Sequence, residues 1–190
     1  LLVDVVRVPE PRLSDGKPTT RPACSATVHA TAAGRCGSLR WTVRCTVGES
    51  RVMARPHQSL RAAVFLGLSV DGRIARPDGD IEWLTSRGEA AGDAGFTPFV
   101  ESVDAVVMGR QTYEVIAPFE EWPYLERPMH VISTTLAPDA DPRITVHRSP
   151  EAAVEALQRD GHRRVYADGG QTVRWFLGAG LVDELTLSHV

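Results

Sequence analysis

One local pattern occurs twice in this chain and restricts its fold more than any other feature. Ala105-Val106-Val107-Met108 leads into Gly109-Arg110-Gln111-Thr112, and Val165-Tyr166-Ala167 leads into Asp168-Gly169-Gly170-Gln171-Thr172. Each reads as a buried strand, a glycine turn and a helix start. A strand that is apolar on both faces belongs inside a sheet covered by helices on both sides, and such sheets are parallel.

The neighbouring sequence keeps this rhythm. Ala62 to Val70, Val103 to Met108, Pro128 to Ser133, Ile144 to His147, Arg164 to Ala167 and Glu184 to Val190 read as strands. Between them lie a weak helical stretch from about Ala90 to Ser102, a short helix from Thr112 to Ala117, a helix ending at Arg159, and another from Gln171 to Leu177. The helix ending at Arg159 has the clearest start, with Ser149 as N-cap and Pro150 at the first helical position. Strands alternating with helices need right-handed crossovers, so the expected fold is a three-layer α/β/α sandwich on a mainly parallel sheet. The final run, Leu185 to Val190, reads as an uncovered edge strand, which invites pairing. Either C-terminal strands are missing or another subunit covers that edge.

The two turns also point to a ligand. Glycine lets a backbone approach closely, and a helix N-terminus offers unpaired N–H groups to an anion. Two such turns in one small domain suit a nucleotide with several phosphates. Arg110, a planar permanent cation in the first turn, suits a phosphate monoester better than a neutral ribose, which favours NADP over NAD.

Charge and cysteine content divide the chain near Met53. Residues 1–52 hold 8 Lys and Arg against 4 acids, while the remainder holds 13 against 20. All three cysteines, Cys24, Cys36 and Cys45, also fall before Met53. Residues 1–52 read as a disordered or non-native extension, with the working domain over 53–190; the rivals are a partner-binding arm or an edge strand such as Leu39 to Val47. Leu1 to Val8 is too short, and too interrupted by Asp4 and Arg7, for a secretory signal. No C-x-x-C pair suggests a metal site. A net charge of −3 without a basic stripe argues against nucleic acid, and no apolar run approaches a membrane span. A soluble cytoplasmic protein acting on a small molecule is expected.

Five pieces in order carry a family resemblance: Leu68-Ser69-Val70-Asp71-Gly72-Arg73-Ile74-Ala75, Val107-Met108-Gly109-Arg110-Gln111-Thr112-Tyr113-Glu114, Val131-Ile132-Ser133-Thr134, Asp168-Gly169-Gly170-Gln171-Thr172, and Gly180-Leu181-Val182-Asp183-Glu184-Leu185. From Val64 onward the chain resembles the RibD C-terminal domain family, the riboflavin-biosynthesis pyrimidine reductases, within the dihydrofolate-reductase-like superfamily. The resemblance implies NADPH as hydride donor, a pyrimidine or pterin-like substrate reduced at a C=N or C=O carbon, and a homodimer. It also implies that a C-terminal portion of the family fold is absent.

Roles follow residue by residue. Gly109, Arg110 and Thr112 would bind phosphate, Ser133 and Thr134 the adenosine 2′-phosphate side, and Gly169, Gly170, Gln171 and Thr172 the pyrophosphate. By their place in the family pattern, Gly67 and Ile74 would flank the nicotinamide. Each set has a plainer reading as turn, strand end or core. For the proton donor, Asp71 matches an acid of the family pattern but equally suits an Asp-Gly turn, with water as the other source. Asp93 has the spacing of the pterin-binding acid in dihydrofolate reductases, within a poor helix former. Asp168 reads as a residue holding its turn, and Trp83 and Trp122 as core, lid or pocket lining.

Four other identities are to be weighed. A Rossmann dehydrogenase would need G-x-G-x-x-G after the first strand, where Asp71-Gly72 stands instead. The bifunctional deaminase-reductase would need an H-x-E and P-C-x-x-C zinc signature, absent here. Dihydrofolate reductase proper, or a degenerate protein that binds NADPH without turnover, stays open.

Overall fold

The computed structural model describes the backbone of residues 25–33, 38–46 and 189, and both backbone and side chains of residues 60–77, 79–84, 86 and 95–188. Met53, Asp93 and the first part of the weak helical stretch, residues 90–94, lie outside these residues.

The strands are β1 (Ser25–Ala33), β2 (Ser38–Thr46), β3 (Arg61–Leu68), β4 (Ala105–Gly109), β5 (Met129–Ile132), β6 (Ile144–His147), β7 (Arg164–Asp168) and β8 (Val182–His189). The helices are α1 (Phe96–Glu101), α2 (Arg110–Ile116), α3 (Pro150–Arg159) and α4 (Gly170–Gly178). One sheet runs β1-β2-β8-β3-β7-β4-β5-β6. From β8 to β6 every neighbouring pair is parallel, whereas β2 pairs antiparallel with both β1 and β8.

Strand parity builds two cores. Ala63, Phe65, Val106, Met108 and Tyr166 face one side, where Phe99 and Val100 of α1 and Tyr113 and Ile116 of α2 pack on them. Ala62, Val64, Ala105, Val107, Val165 and Ala167 face the other side, against Ala153 and Leu157 of α3 and Val173 and Phe176 of α4. Both faces of β3, β4 and β7 are therefore apolar, the pattern of a doubly covered parallel sheet. The α3 start is capped as its sequence predicts: Ser149 Oγ accepts the Ala152 N–H at 3.2 Å, and Pro150 opens the helix.

Chain direction diverges between β7 and β4. From β4 the chain passes through α2 to β5 on one side, and from β7 through α4 to β8 on the other. Such a switch point opens a crevice at the carboxyl ends of the strands. Both glycine turns lie there.

The final strand departs from expectation. β8 is an interior strand, paired with β3 through Ala62↔Val182 to Leu68↔His189 and with β2 through Arg40↔Ser188 to Arg44↔Glu184. Its cover comes from the segment read as an extension. Leu39, Trp41, Val43 and Cys45 alternate with Arg40, Thr42, Arg44 and Thr46, a period-2 signal that favours a strand over an unstructured arm. Within 1–52 the structure thus holds two strands, and the alternative of a strand near Leu39 to Val47 matches β2.

Candidate active site

The two turns meet across the switch point. A side-chain carbon added at Gly169, whose φ is +82°, would overlap the Thr112 hydroxyl; one added at Gly109 would sit 3.6 Å from Thr172 Oγ1. Each threonine therefore packs against the glycine of the opposite turn. Only glycine accommodates both the left-handed backbone and the close approach at position 169.

A cavity of about 1530 Å³ opens over this junction. That exceeds the roughly 300–1,000 Å³ of a cleft for one small ligand, leaving room for a dinucleotide beside a second molecule. Gly67, Ile74, Gly109, Arg110, Thr112, Ser133, Thr134, Gly169, Gly170, Gln171 and Thr172 all line it. Residues spread over more than a hundred positions of sequence are thus brought to one wall. Gly170 lies against Ile74, since a side-chain carbon there would come within 2.9 Å of Ile74 Cδ1. This bare stretch of backbone, with the first N–H groups of α4 unpaired within the helix, fits a cofactor pyrophosphate.

Toward β6 the cavity is lined by two arginines together with Glu114. Arg110 lines it, bonded through Nη1 to Glu114 Oε1 at 2.6 Å. Arg148 lines it too, with Nη1 donating to the carbonyls of Ser133 at 2.9 Å and Leu136 at 2.7 Å. Ser133 is buried, and its Oγ accepts the N–H groups of Thr135 at 3.2 Å and Leu136 at 2.9 Å, so it shapes the turn that presents the exposed Thr134 and Thr135. Arg148 escaped the sequence reading; its position directly before the Ser149-Pro150 helix start is the signal that could have found it.

The β3 side is aromatic. Phe65, Phe96, Tyr124 and Tyr166 line it, with Phe65 and Phe96 5.5 Å apart and Tyr124 and Tyr166 6.1 Å apart between ring centres. Asp168 lies among them. Its Oδ2 accepts the Tyr124 hydroxyl at 2.7 Å and its Oδ1 the Gly169 N–H at 2.7 Å. Burial pushes the Asp168 carboxyl above the usual carboxylate range, against the opposing pull of those hydrogen bonds. Tyr124 is raised well above an ordinary phenol by burial and by the nearby carboxyl.

Comparison with known proteins places this architecture. The model of the RibD C-terminal domain matches residues 63–190. The chain belongs to the RibD C-terminal domain family. Among relatives of this RibD C-terminal domain, the uncharacterized protein YwjB of Bacillus subtilis (strain 168) is 30% identical over 137 residues, covering 68% of this chain and 76% of its own length. A crystal structure from Shewanella sp. PV-4, of a protein provisionally named for riboflavin biosynthesis, superposes with a TM-score of 0.59 at 31% identity, over 68% of this chain and 76% of its own. A Schistosoma mansoni dihydrofolate reductase is more distant: 26% identity, 60% and 63% coverage, TM-score 0.47. The fold is therefore the mainly parallel α/β sandwich expected for the RibD C-terminal domain.

Not every candidate joins the cavity. Asp71 is exposed, bonded to the Ser69 hydroxyl and paired with Arg73 at 3.2 Å, and does not line the wall. Its Ser69 hydrogen bond is the main cause holding the carboxyl below its ordinary range. Trp122 instead packs 6.2 Å from Tyr113 and beneath the Arg143 guanidinium, 3.9 Å away. Trp83 is half-buried and also outside the lining. Among the described residues no cluster of three or more His, Cys, Asp or Glu could hold a metal, and no helix is long and apolar enough to cross a membrane.

Proposed function

We propose that this RibD C-terminal domain is an NADPH-dependent reductase acting on a small planar heterocycle of the pyrimidine or pterin type. The observation that carries the reading is the meeting of the two glycine turns inside one long cavity, with arginines toward β6 and aromatic rings toward β3. NADPH bound there supplies a hydride from its nicotinamide C4. Arg110, Arg148 and Thr134 hold the 2′-phosphate, Gly109 and Thr112 a phosphate at the first turn, and Gly169 to Thr172 the pyrophosphate. Gly67 and Ile74 border the nicotinamide. The aromatic side packs a flat substrate and excludes water.

The test is a fluorescence titration. Arg110→Ala is expected to weaken NADPH by roughly 1.5 to 3 kcal/mol, the usual worth of a charged hydrogen bond, and to leave NADH almost unchanged. Equal losses for the two cofactors would remove the 2′-phosphate role, and no NADPH binding by the wild type would end the reductase reading. Turnover of 5-amino-6-(5-phosphoribosylamino)uracil against dihydrofolate separates the two substrate classes.

A further inference from the structure

The purine end of a dinucleotide phosphate is located by its own covalent structure. The base and the 2′-phosphate are borne by neighbouring carbons of one ribose, C1′ and C2′. Whatever receives the base must therefore lie within a side chain's length of whatever holds that phosphate. Arg148, one of the two arginines assigned to the phosphate, directly precedes Ser149 and Pro150 at the start of α3, and all three line the cavity.

Trp175 of α4 lines the cavity too, and it meets the same helix start. The Glu151 carboxyl, in the first turn of α3, is held below its ordinary range by its own backbone N–H, then by the Ser149 hydroxyl, and further by the Trp175 indole N–H. The indole edge is thus beside the turn that carries Arg148. The ring is half-buried, packed against the core that holds Ala153 and Leu157 of α3, with the Phe176 ring edge-on at 5.2 Å. Val173 and Phe176 already supply the apolar buried face of α4, so what the indole adds is a flat apolar surface on the cavity wall. It also stands four residues after Gln171, one turn along the helix whose first N–H groups fit the pyrophosphate, and both residues line the cavity.

We propose that Trp175 is the stacking platform for the purine base of the cofactor, with Glu151 as the positioning residue that holds its indole edge. The inference rests on the NADPH reading above and extends it from the phosphates to the base. An indole face accepts a base by stacking, without reading its hydrogen-bonding edge. The two helix starts then divide the ligand between them: the N–H groups of α4 take the pyrophosphate, Arg148 the 2′-phosphate, and Trp175 the base. Adenosine 2′,5′-bisphosphate carries the part that meets Trp175, whereas reduced nicotinamide mononucleotide carries none of it.

Titrations of the full chain with these two fragments test the assignment. The bisphosphate should quench tryptophan emission in the wild type. Trp175→Phe, which keeps an aromatic face, should abolish the quenching while calorimetric affinity stays within about threefold. Trp175→Ala should weaken both the bisphosphate and NADPH about tenfold or more, and leave the reduced nicotinamide mononucleotide within about twofold. Glu151→Ala should weaken the bisphosphate about two- to fivefold in the wild-type background, and not in Trp175→Phe, where no indole N–H remains to be held. An unchanged bisphosphate affinity in Trp175→Ala, or an equal loss for both fragments, overturns the proposal. A Glu151→Ala loss that persists beside Trp175→Phe overturns the positioning role. Wild-type protein that binds neither NADPH nor the bisphosphate ends the cofactor reading and this proposal together, whereas wild-type binding with an indifferent Trp175→Ala ends the proposal alone.

Discussion

Arg110 and Glu114 face each other across one turn of α2 at 2.6 Å, both largely exposed. A 2′-phosphate on Arg110 would share it with that carboxylate or displace it. Exposed pairs of this kind are worth about 0.2–1 kcal/mol, so Glu114→Gln should tighten NADPH up to about fivefold and leave NADH unchanged, measured by the same titration. An unchanged NADPH affinity would mean that Arg110 and the phosphate do not meet. Gly169 makes the opposite kind of demand. Gly169→Ala adds a methyl group against Thr112 at a φ of +82°, and both penalties act at once. A loss of roughly 2–4 kcal/mol is expected in urea unfolding, together with loss of NADPH binding; Thr112→Ser in the same chain should recover little, since the clash is with the hydroxyl rather than the methyl. These residues were legible in sequence because glycine turns leave a local signature. Tyr124 and Arg148 were not, because their roles depend on partners from distant segments.

At the scale of elements, β5 and β6 carry a buried histidine pair. His130 Nδ1 and His147 Nε2 are 2.9 Å apart, with rings nearly parallel at 10° and His162 edge-on to His130. Burial, then the neighbouring His147, pull His130 down to about 4, while Asp160 pushes the other way. His147 is lowered as well, by burial and by Arg159. Unfolded histidine takes up a proton near 6.5, so between there and about 4 the unfolded chain binds more protons than the folded one. Stability from His130 is present above that window and is lost as pH falls through it, by as much as about 3 kcal/mol. Urea unfolding at pH 7 and pH 4.5 checks this: the decrease should be clearly smaller in His130→Gln, with the His147 share remaining, and an equal decrease in that variant would assign the effect to other groups. Helix and strand limits were readable to within a few residues because each element has its own periodicity and caps. Of the helical stretch read from Ala90, the described part holds α1 from Phe96 to Glu101, and residues 90–94 lie outside the described residues.

At the scale of the molecule, the hairpin of β1 and β2 completes the sheet beyond β8. Removing residues 1–46 should leave the β8 hydrogen-bonding edge open, lowering Tm by several degrees and promoting self-association visible in size-exclusion chromatography. A truncated chain that stays monomeric with an unchanged melting curve would show that β8 needs no such cover. The sequence by itself determined the parallel core and its two glycine turns, because buried strands, caps and glycines act over a few neighbouring residues. Only the tertiary structure decided that the last strand is interior, that Asp71 stands outside the cavity, and that Asp168 rather than Asp71 lies with Tyr124 among the aromatic rings. Those outcomes depend on which distant segments pair and which side chains lose water, and neither is encoded in any short stretch of the chain.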